Sequence, residues 1–199
     1  MLTIMSHRED LLAGAVQCLR EKGYARTTAR DIVAASGTNL ASIGYHYGST
    51  QALLNAAVLK SMEDFGTEIA RAMPPGTGGP LLARFEQFWS RILESIKADS
   101  NIWAATFDMV TVAQREPAVQ KAIADGLEDG RTLWSEMLYG TADRAVGSVL
   151  QALLSGVLAQ WLIDPARAPS AADLARGLAA IAGRIEADTF AADNGASQA

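Results

Sequence analysis

The first fifty residues carry a run of short hydroxyl side chains, one amide and a Tyr-His-Tyr cluster. Most of them lie in SGTNLASIGYHYGST, residues 36–50. Hydroxyls, rings and backbone amides at helix N-termini can hold phosphate oxygens, and small side chains let a helix approach base edges in a major groove. The segment therefore indicates a DNA-contacting surface, and its candidate contacts are Thr27, Thr28, Thr38, Asn39, Leu40, Ala41, Ser42, Tyr45, His46, Ser49 and Thr50.

Three short helices are predicted to position these groups. The first begins after Ser6 and ends at Gly23, the second runs from Thr28 to Gly37, and Asn39 caps the third. Two short helices joined by a turn that contains glycine have the spacing of a helix-turn-helix, although the same pattern also fits an αα-hairpin that only packs. Apolar residues of the three helices would close a small core, and Tyr47 and Cys18 are expected to be buried in it.

The remainder of the chain also has helical periodicity. Its 199 residues are 49% apolar and 20% charged, which is ordinary for a globular protein. A long helix is predicted at about 50–72, then a Pro- and Gly-rich linker at 73–80, then helices at about 81–98, 100–113, 117–138, 143–163 and 170–190. No alternation typical of strands occurs. The fold class is therefore predicted as all-α, three short helices followed by about six longer ones.

Charge and composition bear on which partners, metal sites and locations are expected for this protein. The net charge is −5, yet residues 1–50 hold five basic and four acidic residues, so the N-terminal part is the least acidic. A single cysteine excludes an internal disulfide, and two histidines supply no metal-ligand set, so no metal or cofactor is expected. No apolar run is expected to reach membrane-spanning length, and no secretory signal opens the chain, so a cytoplasmic location is expected.

The N-terminal stretch resembles a known family. LREKGYARTTARDIVAASGTNLASIGYHYGSTQALLNAAV, Leu19 to Val58, is similar to the DNA-binding region of TetR-family transcriptional regulators. The shared features are Gly23-Tyr24, Thr27-Thr28, the glycine turn and residues 45–49. Two positions depart from the family pattern: Thr50-Gln51 replaces a common Lys-Glu, and Gly44 replaces a common Tyr. The loss of one phosphate-contacting lysine should weaken binding to all sequences.

The resemblance implies three parts: a helix-turn-helix domain at 1–50, a ligand-binding and dimerisation domain at 51–190, and a flexible tail at 191–199. It implies a homodimer through the last two helices, which are rich in small residues. Aromatic and Met side chains concentrate in the middle of the chain and could line a cavity or fill the core. The candidate ligand contacts are Trp89, Trp103, Phe107, Asp108, Trp134 and Met137.

The function implied is a ligand-responsive regulator, most simply a repressor that a small apolar or aromatic molecule releases from a pseudo-palindromic operator. The ligand would act by moving the long helix at 50–72. An enzyme that uses His46 or His7 as a base is the first alternative, and no catalytic set supports it. A small-molecule-binding protein with a vestigial helix-turn-helix is the second.

Overall fold

The computed structural model describes residues 7–73 and 79–196, with side chains described as far as residue 188. The helices of these ranges are α1 (His7–Lys22), α2 (Ala29–Ser36), α3 (Leu40–Tyr47), α4 (Thr50–Ala72), α5 (Leu81–Ala98), α6 (Ser100–Ala113), α7 (Pro117–Tyr139), α8 (Arg144–Ile163) and α9 (Ala171–Ala196), and a 3₁₀ turn spans Tyr24–Arg26. The described residues contain no strand, and the all-α prediction is confirmed.

The C-terminal end of the last helix differs from the prediction. The last helix continues to Ala196, about six residues beyond its predicted end, so it covers most of the stretch predicted as a tail. Ala191 and Ala192 favour a helix, whereas Asp193, Asn194 and Gly195 do not, so helix propensity accounts only for the first part of the extension. The predicted cap at Ser6 and most of the linker, residues 74–78, lie outside the described residues.

The N-terminal core joins the three short helices to α4 and α6. Leu11, Leu19, Ile32 and Ile43 are buried, together with Leu53, Ala57, Ile102 and Met109 from the two longer helices. Cys18 is buried in this core as a free thiol, and burial raises its pKa. The three short helices therefore do not form a complete core by themselves, because α4 and α6 supply part of it.

Tyr47 occupies a different position from the one predicted. It is half-buried at the edge of the N-terminal core, and its hydroxyl donates a hydrogen bond of 2.8 Å to the backbone oxygen of Arg8. The Arg8 guanidinium lies 5.7 Å from the centre of its ring. The phenol needs a polar partner, and α1 supplies that partner at its first turn, which keeps the ring at the surface.

A second, larger core is built by α4, α5, α7, α8 and α9. Its centre is Trp89, Ile92 and Ile96 of α5, with Met137 and Leu138 of α7. Helix α8 lies against α7 at Gly147, where a Cβ atom would fall 2.1 Å from the backbone oxygen of Arg131. Only glycine permits this approach of the two helices.

Helix α8 is long and apolar enough to cross a membrane by length and composition alone, with a mean hydropathy of 1.6 over its best window and 28% of that window buried. The expectation that no segment comes near this length was wrong. Its serines, glutamines and glycines interrupt the apolar run without adding charge. Core helices of proteins that contact no membrane meet the same criterion, and α8 packs along α7 while Val149 and Ile163 stay exposed.

We expect Gly147→Ala to destabilise the protein by about 1–3 kcal/mol, because the added methyl overlaps the backbone of α7. Gly126→Ala on α7 is the matched control: a Cβ there meets nothing within 4 Å, so stability should rise by up to ~1 kcal/mol. Urea unfolding followed by circular dichroism measures both. Equal effects of the two variants would contradict the close packing at Gly147.

Candidate DNA interface and ligand cavity

The start of α2 is fixed by a capping box. The Thr28 side chain accepts a hydrogen bond from the Asp31 amide, and the Asp31 carboxylate accepts from both the backbone amide and the hydroxyl of Thr28. Lys22, at the end of α1, adds an ion pair to the same carboxylate. These hydrogen bonds, that of Lys22 first, lower the pKa of Asp31 to about 2. The N-terminus of α2 is therefore held against the C-terminal end of α1.

The turn between α2 and α3 has the geometry that the sequence predicts. Gly37 has a φ of 67°, in the left-handed region that glycine adopts without strain. The hydroxyls of Ser36 and Thr38 are 2.7 Å apart. Asn39 then caps α3, and its side-chain oxygen accepts a hydrogen bond of 3.1 Å from the Ser42 amide. The cap uses the amide oxygen of Asn39 and leaves its N–H donors for another partner.

One side of α3 faces solvent and is made of small or aromatic side chains. Leu40 is 54% exposed and Tyr45 is 86% exposed, while Ala41 and Gly44 are exposed between them. The rings of Tyr45 and His46 meet edge to face, with their centres 4.8 Å apart. The opposite side carries Ile43, which is buried. This side of α3 contains no Lys, Arg, Asp or Glu, and several of its side chains are small, so the backbone of α3 could come close to another molecule.

Two of the candidate contacts lie on the inner side of the domain. Thr27 is buried, and its hydroxyl bonds to the backbone oxygens of Gly23 and Cys18 at 2.8 and 3.2 Å. Ser42 is buried as well, beside Ile43. The prediction that these side chains contact DNA is corrected, because both are buried and the hydroxyl of Thr27 is already bonded. The other nine remain accessible: Thr28, Asn39, Leu40, Ala41, Tyr45 and Ser49 are exposed, and Thr38, His46 and Thr50 are partly exposed.

The start of α4 forms another part of this surface. Ser49 caps α4, accepting a hydrogen bond of 3.0 Å from the Ala52 amide, and Thr50 is the first helical residue. The N-termini of α2, α3 and α4 thus carry hydroxyl or amide caps beside free backbone N–H groups, an arrangement that can bind phosphate.

Two of the basic side chains of the N-terminal domain are in ion pairs with acids and are not free to contact phosphate. Arg20 pairs with Asp99 at 3.3 Å, and Lys22 pairs with Asp31. Arg30 of α2 is exposed and forms no salt bridge within the described part of the chain. Sequence reasoning missed Arg30, although its place two residues after the Thr28 cap could have revealed it.

A hydrogen-bond network joins this domain to the long helices. The Tyr24 hydroxyl donates to the side-chain oxygen of Asn55 and accepts from Gln51, both on α4. Asn101 of α6 donates a hydrogen bond of 2.8 Å to the backbone oxygen of Arg20. Burial, and then the charges of Asp108 and Glu116, raise the pKa of Tyr24 to about 12. Sequence reasoning missed this network, which only the packing of α4 and α6 brings together.

A cavity of about 710 Å³ lies between α4, α6, α7 and α8. Of the six predicted ligand contacts, Trp103, Phe107 and Trp134 line it. The other three do not line it: Trp89 and Met137 are buried elsewhere in the second core, and Asp108 is exposed on α6. Sequence reasoning missed Phe65 of α4 and the polar lining residues Glu63, Thr67, Thr106, Asp129, Gln151 and Ser155.

The described residues contain no group of three or more His, Cys, Asp or Glu side chains that could hold a metal ion.

We expect the stabilising effect of Asp31 to depend on pH. Its pKa is lowered by folding, so the stabilisation is complete above its ordinary pKa and disappears as the pH falls from about 4 to about 2. The difference in urea midpoint between the wild type and Asp31→Asn should therefore shrink over that range. A constant difference would show that folding does not lower the pKa of this carboxylate.

The comparisons with known proteins agree with this arrangement. Residues 11–57 match the family model for bacterial regulatory proteins of the tetR family. A comparison with curated sequences finds no significant match. Similar solved structures include the multidrug binding protein EbrR complexed with proflavin (21% identity, TM-score 0.65, covering 87% of this chain and 97% of that one).

Two further solved structures are similar to this chain over most of its length. A TetR-family member from Streptomyces coelicolor A3, SCO1917, is 21% identical, with a TM-score of 0.63 and coverage of 87% of this chain and 96% of that one. A TetR transcription regulator from Haloarcula marismortui ATCC 43049 is 19% identical, with a TM-score of 0.63 and coverage of 87% and 94%. At these identities the likeness establishes the fold that this chain shares with them.

Proposed function

We propose, from the premise that residues 11–57 form a domain of the tetR family of bacterial regulatory proteins, that this chain is a homodimeric, DNA-binding transcriptional regulator. In its simplest form it is a repressor that a small apolar or aromatic ligand releases from a pseudo-palindromic operator. The observation that carries the proposal is the exposed side of α3, with Tyr45 86% exposed on a helix that a left-handed glycine turn and an Asn cap hold in place.

In this proposal α3 enters the major groove. Leu40, Ala41 and Gly44 let the backbone approach the bases, and the N–H groups of the Asn39 side chain and the Tyr45 hydroxyl supply hydrogen bonds. The N-termini of α2 and α4, with Thr28, Ser49 and Thr50, hold phosphates on either side, helped by Arg30 and His46. Thr27 and Ser42 support the helices from inside.

The dimer would form through α8 and α9. Exposed apolar side chains on these helices include Val149, Leu178 and Ile181. A Cβ at Gly156, Gly177 or Gly183 would meet nothing within 4 Å in the single chain, so packing inside this chain does not explain these glycines. Glycine in a helix interior costs ~1 kcal/mol relative to alanine, and close contact with a second copy would offset that cost.

The ligand would act through α4. The far half of α4 lines the cavity with Met62 and Phe65, and its near half lies in the N-terminal core with Leu53 and Leu54. A ligand that favours a different tilt of α4 would change the distance between the two α3 helices of a dimer, which must match one turn of DNA, about 34 Å. The EbrR complex with proflavin supports a small-molecule site in this fold.

We expect a gel shift with DNA that flanks the coding region of this protein to show a specific complex. Tyr45→Ala should weaken it by about 10-fold, since one good base contact contributes on the order of 1–3 kcal/mol. Tyr139→Ala is the matched control, because Tyr139 is a 53% exposed tyrosine on α7, away from α3. The absence of any specific complex at low salt would favour the alternative, a small-molecule-binding protein with a vestigial helix-turn-helix.

We expect Ile181→Glu to shift the dimer to monomer, because it places a charge in the proposed apolar interface on α9. Leu82→Glu on α5 is the control: Leu82 is 51% exposed, close to the 60% of Ile181, but lies on another face. Sedimentation velocity at micromolar concentration distinguishes the states. An Ile181→Glu protein that remains dimeric would exclude this part of α9 from the interface.

A further inference from the structure

We infer that α3 reads thymine in the operator: Leu40, with Ala41 beside it, contacts the C5-methyl group that thymine displays in the major groove. The inference rests on the proposed function and specifies the class of half-site that the protein recognises. Three observations carry it: the lack of Lys, Arg, Asp and Glu around α3, the apolar side chains exposed on its first turn and the glycine one turn later.

The chain around α3 lacks the side chains that most often read a G·C pair. No Lys or Arg occurs between Arg30 and Lys60, and no Asp or Glu occurs between Asp31 and Glu63. Guanine is most often read by Arg or Lys, and cytosine by Asp or Glu. Arg30 belongs to α2, the helix that crosses the phosphate backbone in a helix-turn-helix. Charged contacts to guanine or cytosine are therefore absent from α3.

The first turn of α3 presents apolar side chains to solvent. Leu40 is 54% exposed, and Ala41 is exposed beside it. The N-terminal residues of a recognition helix are the ones that contact base edges. The C5-methyl group of thymine is the apolar feature of base pairs in the major groove, and contact with it would remove apolar surface of both molecules from water. Thymine is therefore the base that matches these two side chains.

The polar groups beside this turn are compatible with the same base pair. The side-chain oxygen of Asn39 accepts a hydrogen bond of 3.1 Å from the Ser42 amide, and the hydroxyl of Thr38 lies 2.7 Å from that of Ser36. The cap leaves the side-chain N–H donors of Asn39 for another partner. In a T·A pair these donors can reach O4 of thymine or N7 of adenine, whereas cytosine presents a second donor in place of O4.

Gly44 lies one turn after Leu40 on the same exposed side of α3. A Cβ at Gly44 would meet nothing within 4 Å, so packing inside the chain does not require glycine there. Glycine inside a helix is unfavourable relative to alanine, and a close approach to another molecule would offset that effect. The side chains of Leu40 and Ala41 are short, so they reach base edges only if the helix backbone lies deep in the groove. A side chain at position 44 would hold the helix away.

Uracil in place of thymine tests the methyl contact, because the two bases differ only in the C5-methyl group. Selection from random duplexes by the purified full-length protein gives the operator, and each thymine of the half-site is then replaced in turn, in both half-sites together. At one position or more the replacement should weaken the complex about 10-fold, since each buried methyl group contributes about 3- to 4-fold. Thymines outside the half-sites should tolerate the replacement.

Variants at position 40 assign the contact to its side chain. Leu40→Ala should reduce the difference between the thymine and uracil operators to less than about 3-fold, because the side chain that covers the methyl group is removed. Leu82→Ala on α5 is the matched control: Leu82 is 51% exposed, and its loss should leave the difference unchanged. In a new selection, Leu40→Arg should enrich guanine at the position where uracil weakened the complex.

The close approach at Gly44 is tested separately. Gly44→Leu should weaken binding of the thymine operator by at least about 10-fold without lowering the thermal midpoint, since leucine favours a helix and the space around its Cβ is open. Gly126→Leu on α7, where a Cβ also meets nothing within 4 Å, should leave DNA binding unchanged.

The outcomes separate this inference from the proposed function. An operator that binds equally well with thymine or uracil, or a difference that Leu40→Ala retains in full, would overturn the inference and leave the regulator proposal intact. Unchanged DNA binding by Gly44→Leu would overturn the close approach on which the contact depends. A protein that selects no duplex at low salt would overturn both the inference and the proposed function.

Discussion

Helix α4 is the element on which the rest of the structure depends, because it belongs to both hydrophobic cores. Its 23 residues extend for about 35 Å. Leu53, Leu54 and Ala57 complete the core of the three short helices, and Ile69 lies in the core built with α5, α7 and α8. Since packed cores resist local deformation, the helix tends to move as one body. In the proposed mechanism, a change in packing at one end of α4 would therefore be transmitted to the other end.

Helix α6 provides a second connection that runs beside the first. Ile102 and Ala105 lie in the N-terminal core, whereas Trp103 and Phe107 line the cavity. Polar contacts reinforce the connection, since Asp99 and Asn101 bond to Arg20 at the end of α1. The cavity is therefore bordered by the two helices that hold the helix-turn-helix. A molecule that separates them would act on the N-terminal domain without touching it.

The sequence predicts local features of this fold better than it predicts the site. The Thr28 and Asn39 caps and the turn at Gly37 depend on residues within four positions of one another, and all three were predicted correctly. Thr27 is predicted at the surface but is buried, because the partners of its hydroxyl belong to α1 and the turn after α1. Likewise, Trp89 fills the core while Phe65 borders the cavity. Periodicity gives each residue a helix face, but only tertiary packing decides whether that face meets a core, a cavity or solvent.

The chemistry of the proposed DNA surface follows from how the N-terminal charges are used. Arg20 pairs with Asp99, the residue between α5 and α6, and Lys22 pairs with Asp31 of α2. To contact a DNA phosphate, either base would first have to break its ion pair, and the contact between the helices would then be weaker. Apart from Arg30, which is exposed and forms no salt bridge within the described residues, the groups named for this surface are mostly neutral: helix N-termini, hydroxyl caps, the Asn39 amide and the Tyr45 phenol. Their interactions are short-ranged and directional, so contact depends on shape and hydrogen bonding more than on long-range attraction. The acidic net charge of the chain is compatible with such a surface.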